Sequence, residues 1–130
     1  MIGFRIDPRS GVAPYQQIVH QVRQALRLGL LREGDQLPTV KQVVADVAIN
    51  PNTVLKAYRE LEHAGLAAGR PGKGTFITRS LARVDATAYH RLRDELADWL
   101  DRARSEGLDD ESIDALIQVT LRGTAGEGAA

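Results

Sequence analysis

The 130-residue sequence has no cysteine, a single tryptophan and a single methionine, and only 5% aromatic residues. Without cysteine, disulfides and thiolate metal sites are excluded, which suits a reducing compartment. No run approaches the ~18 consecutive apolar residues that a membrane-spanning helix needs. The opening MIGFRIDPRS lacks the apolar core of a secretory signal. A cytoplasmic protein with no membrane partner is expected. His20, His63 and His90 stand at no metal-ligand spacing to one another or to carboxylates. RPGKGT has the look of a phosphate loop, but Lys73 is followed by Gly74 instead of Ser or Thr, and the upstream glycine spacing is wrong. No Ser/His/Asp set has a supporting motif. Asp94, Glu95, Asp98 and Asp101 form a solvated acidic helix face. Neither catalysis nor a metal or cofactor is expected.

An excess of one charge is missing too, with 17 Lys/Arg against 17 Asp/Glu. The distribution is uneven, however. Residues 1–80 hold 11 Lys/Arg and 6 Asp/Glu, a net of +5, and residues 81–130 hold 6 and 11, a net of −5. That split suits a basic half that meets a polyanion and an acidic half that faces away from it. With 43% apolar residues the chain can bury a modest core, enough for one small domain and an appendage.

Residues 2–7 alternate, with Ile2, Phe4 and Ile6 on one side, and predict a short half-buried strand ended by Pro8. This strand could join the hairpin described below. Pro14 opens a helix to about Leu30, with Ile18, Val22, Ala25 and Leu26 as its apolar stripe and Gly29 weakening its last turn. A second helix starts at Thr39, where Thr39 and Gln42 form a capping box, and buries Val40, Val43, Val44 and Val47. After the turn at residues 47–49, Asn50 is an N-cap and Pro51 a first helical residue. In the third helix Val54, Ala57, Tyr58 and Leu61 face the core, while Asn52, Lys56, Arg59 and His63 lie opposite, and Gly65 ends it. Residues 66–78 predict a β-hairpin with Pro71, Gly72, Lys73 and Gly74 at its turn.

Two helices, a tight turn and a basic hairpin make the order of a winged helix-turn-helix. In that arrangement the third helix enters the major groove N-terminus first. Asn50, Asn52, Thr53, Lys56 and Arg59 are then the candidate DNA-contacting residues, with Lys41 on the preceding helix and Arg70 and Lys73 on the wing. Asparagine suits adenine edges, and hydroxyls and cations suit phosphates.

A long helix follows at roughly residues 88–105, striped by Tyr89, Leu92, Leu96, Trp99 and Leu100. Gly107 breaks it. Asp109 caps a last helix striped by Ile113, Leu116, Ile117 and Leu121, which Gly123 is expected to end, leaving a small, polar, disordered tail at 123–130. The expected fold is mainly α with a small β-sheet: a winged helix-turn-helix domain at 1–79 and a short two-helix C-terminal dimerisation segment at 80–122.

Residues 14–78 resemble the DNA-binding domain of GntR-family bacterial transcription regulators. The resemblance is carried by PYQQIVHQVRQAL, LREGDQLPTVKQVVADV, NPNTVLKAYRELEHAGL and GRPGKGTFI. The NPNTV start and the short two-helix tail resemble the YtrA-like subfamily. The resemblance implies a homodimer on a near-palindromic double-stranded operator, repressing a nearby operon, often one for an ABC transporter. It also implies that the basic residue after LPT, here Lys41 where arginine is commoner, contacts DNA, and that Leu55 sits where other branches are often basic. Tyr89, Leu92, Leu96, Trp99, Leu100, Ile113, Leu116 and Ile117 would build the dimer core. A small effector in a crevice between domains or subunits is compatible with this reading. The alternative is a winged helix used as a protein-interaction module without DNA.

Overall fold

The computed structural model describes the backbone of residues 1–129 and the side chains of residues 1–123. It contains five helices and one two-stranded sheet: α1 (Pro14–Arg27), α2 (Val40–Val47), α3 (Pro51–His63), β1 (Ala67–Arg70), β2 (Gly74–Ile77), α4 (Ala86–Ser105) and α5 (Asp110–Ala129). The chain divides into two compact units, residues 1–86 and 87–130. The first is a winged helix-turn-helix.

Its core gathers one face of every element. Ile18, Val22 and Leu26 of α1, Val43 of α2, Val54 and Leu61 of α3, Ile77 of β2 and Leu37 beside the wing are almost wholly buried. On α1 and α3 these positions recur at helical spacing, so each helix offers one apolar stripe inward. The capping box of α2 is formed as expected: Gln42 N–H donates to Thr39 Oγ1 (3.1 Å) and Thr39 N–H to Gln42 Oε1 (2.8 Å).

Three helices end on the same device. Gly29, Gly65 and Gly107 all take positive φ, at 73°, 75° and 102°. In each case the next residue's N–H reaches back to a helical carbonyl: Leu30 to Ala25 (2.8 Å), Leu66 to Leu61 (2.9 Å) and Leu108 to Ala103 (3.1 Å). This is the Schellman closure, which satisfies orphan carbonyls and favours glycine in the left-handed position. Gly29 is therefore the stop of α1, not a weakness within it.

Two expectations need correction. Residues 2–7 alternate in burial, with Phe4 buried and Ile2 and Ile6 half-buried, but they form no strand. Their backbone pairs with glutamine side chains of α1. Arg5 N–H donates to Gln21 Oε1 (2.9 Å) and Gln21 Nε2 to Arg5 O (2.6 Å); Asp7 N–H donates to Gln17 Oε1 (2.8 Å) and Gln17 Nε2 to Asp7 O (2.9 Å). Each primary amide supplies the donor and acceptor that a neighbouring strand would have supplied. The segment before α2, and not residues 2–7, adjoins the hairpin. It makes a bridge between Gln36 and Phe76, with Leu37 N–H donating to Thr75 O (2.9 Å) and Ile77 N–H to Asp35 O (2.8 Å).

The second correction is in the C-terminal unit. Here α5 does not stop at Gly123 but stays helical to Ala129, and residue 130 lies outside the described residues. Its start is as expected: Ser112 N–H donates to Asp109 Oδ1 (2.8 Å), and that bond holds the Asp109 carboxyl below its ordinary pKa. A lowered carboxyl pKa stabilises the fold at neutral pH, and the contribution is lost as pH falls through the folded-state value.

The Gln17 clasp is buried, and its Nε2 also lies within hydrogen-bond distance of Ser10 Oγ (3.0 Å) and Val12 O (2.9 Å), its two hydrogens shared among three acceptors. Gln17→Met keeps the bulk but leaves backbone groups of residues 7–12 unpaired. It should lower the unfolding free energy by about 1–3 kcal/mol, measured by denaturant titration, and speed hydrogen exchange at the Asp7 amide.

Candidate nucleic-acid interface

The turn between α2 and α3 is set by Ala48, which ends α2 in the left-handed region (φ 51°, ψ 46°). Asn50 then caps α3, its Oδ1 accepting from Asn52 N–H at 2.8 Å, and Pro51 follows at the first helical position. The inner face of α3 buries Val54, Ala57, Tyr58 and Leu61, as the spacing predicted. Tyr58 donates its phenolic hydrogen to the Pro38 carbonyl at 2.5 Å. Burial pushes the Tyr58 pKa far above its ordinary value, so the phenol remains a donor at any physiological pH. This bond ties α3 to the residue just before the N-cap of α2.

With that face inward, Asn52, Lys56 and Arg59 emerge on the opposite side, all exposed and within roughly 60° of arc at 3.6 residues per turn. Thr53 is half-buried at the flank. Lys56 lies in the second turn of α3 and Arg59 in the third. Glu60 and Glu62 follow Arg59, so the stretch from the Asn50 cap to Arg59, which begins at the positive end of the helix dipole, is the part suited to phosphate.

The wing comes to the same side. Its ladder pairs Ala67 with Ile77 and Arg70 with Gly74. Pro71 and Gly72 make the turn, with Gly72 at φ 73° and Lys73 N–H donating to Arg70 O (2.9 Å). Two grooves show how the elements adjoin. One, of about 210 Å3, is lined by residues that include Thr39, Leu55, Arg59, Glu62 and Thr75. The other runs from Thr39 along Arg70, Pro71, Gly72 and Lys73. Thus Arg59, Arg70 and Lys73 border grooves that share the Thr39 cap, and Lys41 stands exposed two residues beyond it.

The Asn50 cap forms as expected and engages one lone pair of the Asn50 oxygen. Other details were not legible in the sequence. Lys56 Nζ lies 4.0 Å from the centroid of the Tyr15 ring, and the Arg70 guanidinium 4.8 Å from that of Phe76. Gln36 braces the wing by donating from Nε2 to Lys73 O (3.0 Å). A Cβ at Gly74 would come within 2.6 Å of that same Nε2, and Gly74 has φ 123°, so glycine is required there. No sequence pattern announces the Lys56–Tyr15 and Gln36–Lys73 contacts, because each joins elements far apart in the chain. Of the residues expected at a dimer contact, Ile113 is already buried within the chain, whereas Leu92, Leu96 and Leu116 are 52%, 50% and 42% exposed.

Among the described residues no helix is long and apolar enough to cross a membrane.

A buried helix pair presenting one polar helix face, with a basic hairpin alongside, defines the winged helix-turn-helix class. The comparisons agree. Residues 14–77 match the model described as bacterial regulatory proteins, gntR family. The HTH-type transcriptional repressor YtrA of Bacillus subtilis (strain 168) is 41% identical over 76 residues, 58% of each chain. The uncharacterized HTH-type transcriptional regulator YhcF of the same organism is 32% identical over 99 residues, 76% of this chain and 82% of its own. A solved transcriptional regulator from Oenococcus oeni superposes with a TM-score of 0.51 at 34% identity, over 91% of this chain and 99% of that one. The chain belongs to the GntR family, with YtrA-like relatives. It spans less than two thirds of the length of YtrA.

Alanine in the left-handed region costs about 1–2 kcal/mol, and glycine there costs only its extra unfolded-state entropy. Ala48→Gly should therefore raise stability by about 0.5–1 kcal/mol, seen as a higher denaturation midpoint.

Proposed function

We propose that this chain is a sequence-specific DNA-binding transcription regulator, acting in the cytoplasm as a homodimeric repressor on a near-palindromic operator. The observation that carries the reading is the alignment of Asn52, Lys56 and Arg59 on the open face of α3, beside grooves bordered by Arg70 and Lys73. The cations would hold phosphates, and the amide of Asn52 is suited to an adenine edge in the major groove. Lys41 at the start of α2 and Thr53 at the flank of α3 would add backbone contacts. Regulation of a nearby operon, such as one for an ABC transporter, follows from the YtrA-like resemblance, and repression is supported by the name of the relative YtrA.

A second copy of the chain is the proposed cover for the C-terminal unit. Leu96, Trp99, Leu116, Ile117, Thr120 and Leu121 line an open groove of about 410 Å3 on α4 and α5. Leu92 stands exposed on α4, and Tyr89, Trp99 and Leu100 are half-buried there. Such a face loses less water-exposed apolar area by itself than against a partner. Pairing would set two recognition helices about one DNA turn apart, ~34 Å, and make binding bivalent. A small effector would act by favouring one arrangement of that pair over the other.

The test is titration of the purified protein with DNA from upstream of its own gene, against a scrambled duplex of equal length. Tight binding to the first alone is expected, with affinity falling by about 0.9 log units per log unit of salt for each phosphate neutralised. Equal weak binding to both would reject sequence specificity, and no binding to either at low salt would reject the DNA partner. Lys73→Ala should reduce affinity and flatten the salt slope by about one phosphate while leaving the unfolding midpoint unchanged. Trp99→Ala should shift sedimentation toward monomer at low concentration and weaken DNA binding with it.

A further inference from the structure

Lys56 is exposed, yet its ammonium rests 4.0 Å from the centroid of the Tyr15 ring. The ring is anchored. Tyr15 lies in the first turn of α1, behind Pro14, and packs half-buried against the core. Two residues on, Gln17 binds the loop that leads into the helix at Asp7, Ser10 and Val12. The ion pairs among the described residues, Arg93 with Asp94 and Arg104 with Asp110, do not involve Lys56. The kind of partner matters. A carboxylate would hold the ammonium but cancel the charge that a phosphate needs. An aromatic face attracts the cation through its quadrupole and leaves the net charge in place, with N–H donors free to turn outward.

We propose that Tyr15 is a positioning residue of the DNA interface: its ring pre-aims Lys56 on the open face of α3, so that less side-chain freedom is lost when a phosphate is bound. The inference rests on the DNA-binding reading above. A flexible four-carbon lysine otherwise loses much of its rotamer freedom in a fixed contact. Arg70, stacked at 4.8 Å on Phe76, shows the same pairing of an interface cation with a ring on the wing.

The experiment is a set of fluorescence-anisotropy titrations on one mixed-sequence duplex at low salt. The proteins are the wild type, Tyr15→Phe, Tyr15→Leu, Tyr15→Met, Lys56→Ala and the Tyr15→Leu/Lys56→Ala double variant. Tyr15→Phe keeps the ring and should bind as the wild type does. Tyr15→Leu should bind about two- to fivefold more weakly, the effect of losing an exposed cation–π contact. The double variant should bind no more weakly than Lys56→Ala alone. Tyr15→Met, which keeps an unbranched apolar side chain in the core, stands in if Tyr15→Leu unfolds. Upfield-shifted Lys56 side-chain protons in the NMR spectrum, lost in the ring-less variants, would report the contact independently.

Further weakening by Tyr15→Leu in the Lys56→Ala background would make Tyr15 a structural residue and overturn the proposal. Tighter binding by Tyr15→Leu would show that the ring withholds Lys56 from DNA, and unchanged binding that it does nothing; either result overturns it as well. A wild type that binds no duplex would instead remove the DNA-binding reading itself, and this inference with it.

Discussion

The bond from the Tyr58 hydroxyl to the Pro38 carbonyl is the point on which the open face of α3 depends. Pro38 is buried and stands immediately before the Thr39 cap, outside any helix, so its carbonyl has no backbone partner of its own in α2. The phenol supplies one from the inner face of α3. A buried carbonyl left unpaired costs about 1–3 kcal/mol, which makes the relative placing of the two helices specific as well as favourable. The surrounding Val54, Ala57 and Leu61 contribute the larger burial but allow sliding; the directional bond does not. Once α3 is held, its outer residues and the Thr39 edge have a defined relation, and the wing can be braced against the same edge through Gln36.

The unit is built from local stops as much as from its core. Each Schellman glycine turns the chain within two residues of a helix end, and the apolar residue that follows directs the next segment. At Gly65 this matters most, because Leu66 is buried and leads directly into β1. The wing is therefore tied at both ends: by the end of α3 at its base and by Gln36 near its tip. A hairpin of two four-residue strands has little stability alone, and these ties let it hold Arg70 and Lys73 out toward solvent.

Zero net charge does not argue against a polyanionic partner here. The charge that matters is local, and salt screens the rest over about 8–10 Å. Lys56 and Arg70 each lie over an aromatic ring, which positions them without neutralising them. The carboxylates are concentrated in residues 81–130, where the open apolar faces of α4 and α5 offer a different kind of contact. Phosphate recognition and self-association would thus draw on different chemistry in different parts of the chain.

How much was legible in the sequence depends on the reach of each interaction. The Thr39 and Asn50 caps, the glycine stop at Gly65, the Pro71–Gly72 turn and the buried stripe of α3 could be read directly, because each acts over three to five residues and has its own residue types. The polar face of α3 followed once the buried face was known. Residues 2–7 show where such reading stops. Their alternation correctly placed Phe4 inward, but alternation reports burial and does not say what completes the backbone hydrogen bonds. Here it was Gln17 and Gln21, whose amides look like ordinary polar helix residues. The Gln36 brace and the ring beneath Lys56 are of the same kind. The sequence by itself determined which segments are helices, how α2 and α3 are capped, that α3 stops at Gly65 and which residue types face out. Only the tertiary structure decided which of those outward groups are free and which are held, because that depends on partners distant in the chain, and no local periodicity carries that information.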